Sequence, residues 1–282
     1  MRNSHSLPDT MIEELIAPSR IQFYGSKWNN IGTKASLRHQ ISEITGIDSE
    51  VLSGVSPSTR TVAQRMSWAS KRSTSRVEDT AYSLMGLFNV FMPMLYGEGD
   101  RAFIRLQEAI MKQSEDYTIF AWQSTRPGTQ PRGIFASSPA EFQNIVHKGK
   151  KQAIAQYLTP LHEIPIPAAL TSRGLYVALP LFRMEAVEEP APGAQDISLP
   201  SLGSFNFFRH TPSQGMYLAL ICHVIPVGES KDQLLCIWLR MRNVRGIFTR
   251  AFTQSVAIVP KQQAELFTMQ NIYAQSAAST GI

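Results

Sequence analysis

The residues best placed to do chemistry lie at 96–100, Tyr-Gly-Glu-Gly-Asp, where two glycines run into an amphipathic helix. A helix N-terminus preceded by glycines offers free N–H groups and the positive end of the helix dipole, so phosphate binding is the chemistry it could carry. Here Glu98 and Asp100 flank Gly99. Carboxylates at that position already satisfy the dipole, by about 0.3–1 kcal/mol each, and would repel a phosphate. The Lys-Ser/Thr of a P-loop is missing, and so is the third glycine of a dinucleotide fingerprint. The turn therefore predicts an architectural joint that aims a helix, with no nucleotide and no other cofactor.

Other chemistry is weaker still. The six histidines, at 5, 39, 147, 162, 210 and 223, have no metal-ligand spacing with one another or with Cys222 and Cys236. No G-x-S-x-G elbow occurs. Both cysteines sit in apolar runs and read as buried free thiols of a protein kept in a reducing compartment, the cytoplasm. Trp28, Trp68, Trp122 and Trp238 read as core anchors rather than base-stacking platforms.

A net charge of +5 over 282 residues, with acids interspersed among bases, argues against nucleic acid as a partner. The one dense basic run, "HKGKK" at 147–151, has no interleaved aromatics and reads as a solvated loop. The first ten residues lack the apolar region of a signal peptide. "MYLALICHVIPV" falls far short of the roughly 18 apolar residues that a membrane span requires. A soluble globular protein is expected.

The elements that must position the turn follow from periodicity. "TMIEELIAP" reads as a short helix with a Thr10-x-x-Glu13 capping box, and "IQFYGSKWNNIGT" as two short strands around a polar turn. "SLRHQISEITG" puts Leu37, Ile41 and Ile44 on one helical face, with Gly46 at its C-terminal end. Val62, Arg65, Met66 and Ala69 share the next face. Val77, Ala81, Leu84 and Phe88 form one stripe of a helix whose capping box pairs Ser75 with Glu78. An alternative for Glu78 is a partly buried pair with Arg72 or Arg76.

The helix launched by the turn is apolar over more than half its circumference, leaving a narrow strip of Arg101, Arg105, Glu108 and Lys112. Gln107 projects into the apolar arc, so its amide needs a partner, expected on the backbone of a neighbouring turn such as 96–99. "DYTIFAW" reads as a buried strand, and "SPAEF" at 138–142 as a short helix with Ser at N-cap, Pro at N1 and Glu at N3. Beyond 123 come a turn-rich linker and the runs "GLYVALPLF", "MYLALICHVIPV" and "LLCIWLRMRNV", which read as strands of a sheet or barrel. Residues 185–203 read as a mobile loop.

The stretch "RMSWASKRSTSRVEDTAYSLMGLFNVFMPMLYGEGDRAFIRLQEAIMKQSEDYTIFAW", Arg65 to Trp122, resembles the end of the fungal heterokaryon-incompatibility (HET) domain and the segment after it. The motif residues that carry the resemblance are Trp68, Arg72, Arg76, Glu78, Asp79, Tyr82, Pro93, Tyr96, Gly97, Glu98, Gly99 and Gln107. "EELIAPSRIQFYGSKWNNIGTK" is similar to the family's Q-E-L-L-A-P block, with Glu13 at its glutamine and Glu14 at its glutamate. "GIFASSPAEF" and "LTSRGLYVALPL" are similar to a C-terminal extension found in many members.

The resemblance implies an α+β chain. Residues 1–55 would be the C-terminal part of a truncated α/β HET domain, 56–122 a helical middle segment, and 123–282 a β-rich extension. It implies fungal non-self recognition (vegetative incompatibility) and programmed cell death, with protein partners or self-association. The family's earlier blocks are expected before Glu14 and do not occur, and Thr10-Met11 stands where Trp-Thr is expected. A chain lacking those strands loses the cleft where ligands bind, which implies no catalysis. The alternative is a TIR-like NAD hydrolase completed from outside, for which Glu14 is the only catalytic candidate.

Overall fold

In the computed structural model, residues 12–125, 132–144, 168–184, 215–224, 233–242 and 246–276 are described. The chain divides into two units: Met1–Gln113 with Ser137–Lys151, and Ser114–Ala136 with Gln152–Ile282. Thr10, the basic run 147–151, the segment 185–203 and residues 126–131 of the turn-rich linker lie outside the described residues.

Among its described residues the first unit is helical apart from one hairpin. Helix α1 (Ile12–Ile16) buries Ile12 and Leu15. Strands β1 (Gln22–Tyr24) and β2 (Asn30–Thr33) pair antiparallel around the polar turn, as the alternation predicts. Lys34, buried just after β2, donates from Nζ to the carbonyls of Ile16 and Pro18 at 3.1 and 3.0 Å, placing its charge at the C-terminal end of α1. Helix α2 (Arg38–Thr45) stops at Gly46, whose left-handed φ of 73° lets its N–H reach the Ser42 carbonyl. Ile41 is buried, but Ile44 of the expected face is partly exposed. Helix α3 (Ser49–Leu52) follows.

Helix α4 (Val62–Trp68) is capped by the Thr61 hydroxyl, which accepts the Gln64 N–H, and buries Val62, Arg65, Met66 and Ala69 as their spacing requires. The Arg65 guanidinium donates to the Leu87 carbonyl at 3.1 Å and lies 4.4 Å from the centre of the Phe88 ring.

The expected single helix over 77–88 is two helices, α5 (Val77–Tyr82) and α6 (Met85–Phe88), and Val77 is exposed rather than part of a buried stripe. The reason is Glu13. Its Oε1 accepts the Leu87 N–H at 2.9 Å, a group that a continuous helix would commit to the Ser83 carbonyl. Asn89, at φ 53°, ends α6. Helix α7 (Arg101–Met111) buries Ala102, Phe103, Leu106, Gln107, Ile110 and Met111. The "SPAEF" segment is a 3-10 turn, Pro139–Phe142, with Pro139 in its first turn as expected. Ser138 makes no side-chain cap, and Glu141 accepts the Ser137 N–H at 2.8 Å instead.

The second unit is built on a seven-stranded sheet: β3 (Ala169–Thr171), β4 (Gly174–Arg183), β5 (Met216–Val224), β6 (Gln233–Met241), β7 (Ile247–Arg250), β8 (Ala257–Pro260) and β9 (Thr268–Ala274). Strand β4 pairs with both β5 and β9, and β9 pairs parallel with β7, so β4-β5-β6-β7-β9 closes on itself. The register Leu181↔Ala219↔Ile237 carries one buried face across three strands. Leu218, Leu220, Cys236, Trp238 and Phe267 form a second apolar cluster on the other face. Burial on both faces is why these strands are near-continuous apolar runs. Cys222 and Cys236 are free and buried, and burial pushes both thiols well above their ordinary range.

"DYTIFAW" is not a strand but a 3-10 turn, Tyr117–Phe120. The Asp116 carboxylate accepts both the N–H and the hydroxyl of Thr118, at 3.1 and 2.6 Å, and this local pairing diverts the backbone from a ladder. Burial was expected and is seen, with Ile119, Phe120 and Trp122 fully enclosed. Among the tryptophans, Trp68, Trp122 and Trp238 are core residues, whereas Trp28 is 83% exposed. Trp28 occupies the tip of the β1–β2 hairpin, at a left-handed φ of 58°.

Candidate functional site

Arg76, Glu78, Asp79, Tyr82 and Pro93 of the motif meet around the turn 96–99 before α7. Glu78, at the start of α5, is buried and sends Oε1 to the amide N–H groups of Gly97 at 2.8 Å and Gly99 at 3.1 Å. Gly97 and Gly99 have φ of 99° and 58°, which present both amides to one acceptor. Three hydrogen bonds, from its own amide and then those of Gly97 and Gly99, hold the Glu78 carboxyl below the usual carboxylate range, and the charge of Arg76 adds to them. Burial opposes this and is outweighed.

The expected Ser75–Glu78 capping box is therefore not made. Arg76 is the N-cap residue and makes no side-chain cap, its guanidinium having no acceptor to offer. Arg76 places its guanidinium over the Tyr96 ring, 4.8 Å from the centroid. The Tyr96 hydroxyl donates to Asp79 at 3.0 Å, and that bond raises its titration above the ordinary phenol range.

A second set of bonds fixes the chain just before the turn. The Tyr82 hydroxyl accepts the Leu95 N–H at 2.7 Å and donates to Glu98 at 3.1 Å. Burial, then the Glu98 carboxylate, raise this phenol too. Glu98 also pairs with Arg105 of α7, whose other guanidinium nitrogen donates to the Pro93 carbonyl at 2.8 Å. Glu98 is thus neutralised sideways by Arg105 rather than serving the α7 dipole. Asp100 is the N-cap residue of α7 but makes no side-chain cap.

Of the remaining predicted residues, Gln107 is fully buried and donates its amide to the Phe103 carbonyl at 3.0 Å, on its own helix. Trp68 is buried at the end of α4. Arg72 is half-buried, its amide closing a turn onto the Ala69 carbonyl. Glu14 is exposed on α1, apart from this network, and the neighbouring Glu13 makes the long-range contact. Sequence reasoning placed Glu13 in a helix cap and Arg105 on a polar strip, and missed the contacts of both. The opposed charges of Glu98 and Arg105, two helical turns apart, were the only signal for the latter.

What the network leaves outside is apolar. Phe91 is 88% exposed, and Met94, Leu95 and Tyr96 are about half exposed. The backbone beneath them is fastened at Pro93, Leu95, Gly97 and Gly99. Such an arrangement can hold a loop in one shape and offer its side chains to a partner; the amides of Gly97 and Gly99 are already bonded to Glu78. Among the described residues no cluster of three or more His, Cys, Asp or Glu is placed to hold a metal ion. Nor is any described helix long and apolar enough to cross a membrane.

The first unit thus presents a fastened, apolar surface loop, and the second is built on a closed sheet. Residues 101–159 match a family model described as a domain of unknown function, DUF8212. Over 102 residues the chain is 44% identical to the vegetative incompatibility protein HET-E-1 of Podospora anserina. That similarity covers 36% of this chain and 8% of HET-E-1, so the chain spans less than a tenth of that relative's length, and it supports a HET-related family at the level of the shared segment. No solved structure gives a significant match.

Proposed function

We propose that this chain takes part in fungal non-self recognition, in the signalling of incompatibility and cell death, and that it does so by protein association rather than by catalysis. The observation that carries the reading is the loop 91–96. Glu78, Tyr82 and Arg105 hold its backbone while Phe91, Met94, Leu95 and Tyr96 stay in water. Ordering a loop costs conformational entropy, and exposing apolar side chains recovers none of it within the chain. A preordered apolar loop recovers it on binding, where less remains to be immobilised. The similarity to a vegetative incompatibility protein supplies the biological setting.

The test is expression of the full chain in a filamentous fungus, with growth arrest and loss of viability as readouts. F91D/M94D abolishes the response while Glu14→Ala leaves it intact. The reverse pattern, together with nicotinamide release from NAD by the purified chain, would overturn the reading in favour of a hydrolase.

A further inference from the structure

The segment before helix α5 sets an exposed serine beside an exposed arginine. From this we infer that Ser75 is a phosphorylation site, and that its phosphate draws Arg76 away from the Tyr96 ring. The inference rests on the association reading above, because it makes the 91–96 loop a surface that a kinase can alter.

Residues 71–76 read Lys-Arg-Ser-Thr-Ser-Arg, hydroxyl side chains between basic ones. The segment lies between α4 and α5, outside any helix or strand, and it is exposed except at Arg72, which is half-buried. An irregular, exposed segment can enter a kinase cleft, and charge pattern around the hydroxyl is what such enzymes select. Thr74 is committed internally: its hydroxyl donates to the Arg76 carbonyl at 2.5 Å and meets that of Thr80 at 2.8 Å. The Ser75 hydroxyl makes no hydrogen bond among the described residues. Ser73 is exposed too, but only Ser75 is followed directly by an arginine.

The Arg76 guanidinium donates no hydrogen bond and forms no ion pair among the described residues. It rests on the Tyr96 ring, 4.8 Å from the centroid. Two neighbouring side chains in the sequence thus lack a polar partner, and a phosphate on the first supplies one to the second. In the transfer, Ser75 Oγ bonds to the γ-phosphorus of ATP as the bond to the bridging oxygen breaks and ADP leaves. The hydroxyl proton passes to the kinase's base. The product carries about two negative charges near neutral pH.

A charge-assisted, bidentate pair of guanidinium with phosphate is stronger than an exposed cation–π contact, so Arg76 leaves the ring. Two carboxylates share this region. Glu78 is turned to Gly97 and Gly99, whereas Asp79 is partly exposed and accepts the Tyr96 hydroxyl. Repulsion from the phosphate weakens that second hold on Tyr96. The Tyr96 side chain is released, while Glu78, Tyr82 and Arg105 keep the loop backbone in place.

The experiment incubates the full chain with ATP and a purified serine/threonine kinase that selects serine between basic residues. Mass spectrometry locates the phosphate, and NMR follows the Tyr96 ring and the amides of Gly97 and Gly99. Thermal midpoints check that each variant folds. Wild type is expected to take phosphate on Ser75, and Ser75→Ala to lose it. Phosphorylation is expected to shift the Tyr96 ring in the direction that Arg76→Ala does, and to shift it less in Arg76→Ala than in wild type. The Gly97 and Gly99 amides are expected to stay in place.

A chain that takes no phosphate, or takes it on Ser73 or Thr74 instead of Ser75, overturns the inference. So does phosphate on Ser75 that leaves the Tyr96 ring unmoved, or moves it as far in Arg76→Ala as in wild type. The association reading fails separately, if F91D/M94D leaves the cellular response intact while phosphate still moves Tyr96. It stands without this site if F91D/M94D abolishes the response and Ser75 takes no phosphate.

Discussion

Glu78 accepts hydrogen bonds from the amides of Gly97 and Gly99, 19 and 21 residues further along the chain. Those are the groups that an anion would use at a glycine-flanked helix start. An internal carboxylate occupies the place a phosphate would take, so the turn is expected to exclude one. A bound carboxylate also fixes the turn, so the same contact that closes the anion site orders the loop before it.

The Glu78 contact makes stability depend on pH in a stated direction. Its carboxyl titrates below the unfolded value, chiefly through the amide of Glu78 itself and those of Gly97 and Gly99. The stabilisation is therefore present above the unfolded carboxylate range and lost as pH falls through the lower, folded value. Thermal midpoints followed from pH 7 into that range should fall more steeply for wild type than for Glu78→Gln. Parallel curves would mean that the contact contributes nothing.

Tyr82→Phe removes one oxygen that serves two partners, the Leu95 N–H and Glu98. The Leu95 amide is then left to solvent. Its hydrogen exchange should quicken on the order of tenfold, while amides in the middle of α7 keep their protection. Unchanged exchange at Leu95 would show that the loop is held without Tyr82.

Gly86 illustrates a close approach that only glycine allows. A Cβ there would lie 2.3 Å from Glu13 Oε1 and 2.6 Å from Cδ. Without that neighbour, Gly→Ala in a helix would stabilise by up to about 1 kcal/mol. With it, Gly86→Ala is expected to destabilise by about 1–3 kcal/mol. In the Glu13→Ala background the same change should become neutral or favourable, as denaturant midpoints of the four species would report. A stabilising Gly86→Ala in the wild-type background would contradict the contact.

Elements set by local periodicity were legible in the sequence. Helices α4 and α7 follow their apolar spacing, and the three long apolar runs are strands β4, β5 and β6. Long-range side-chain pairing was not legible. Glu78 and Glu13 both stand where near-neighbour rules assign a helix cap, yet they bind Gly97 and Leu87, 19 and 74 residues away. Nothing in the local sequence distinguishes a carboxylate that caps its own helix from one that caps another. Trp28 fails for a related reason. Residue type argues for burial, whereas the ring stands at the hairpin tip in water.

The exposed loop matters only if the turn behind it is closed, and the amides of Gly97 and Gly99 report on that directly. Titrating the labelled full chain with ADP-ribose while following the amide resonances of residues 97–102 should leave them in place, even at ligand concentrations in the millimolar range. Saturable shifts of Gly97 and Gly99, enhanced in Glu78→Gln, would show that the diphosphate competes for the amides and that the turn is a ligand site.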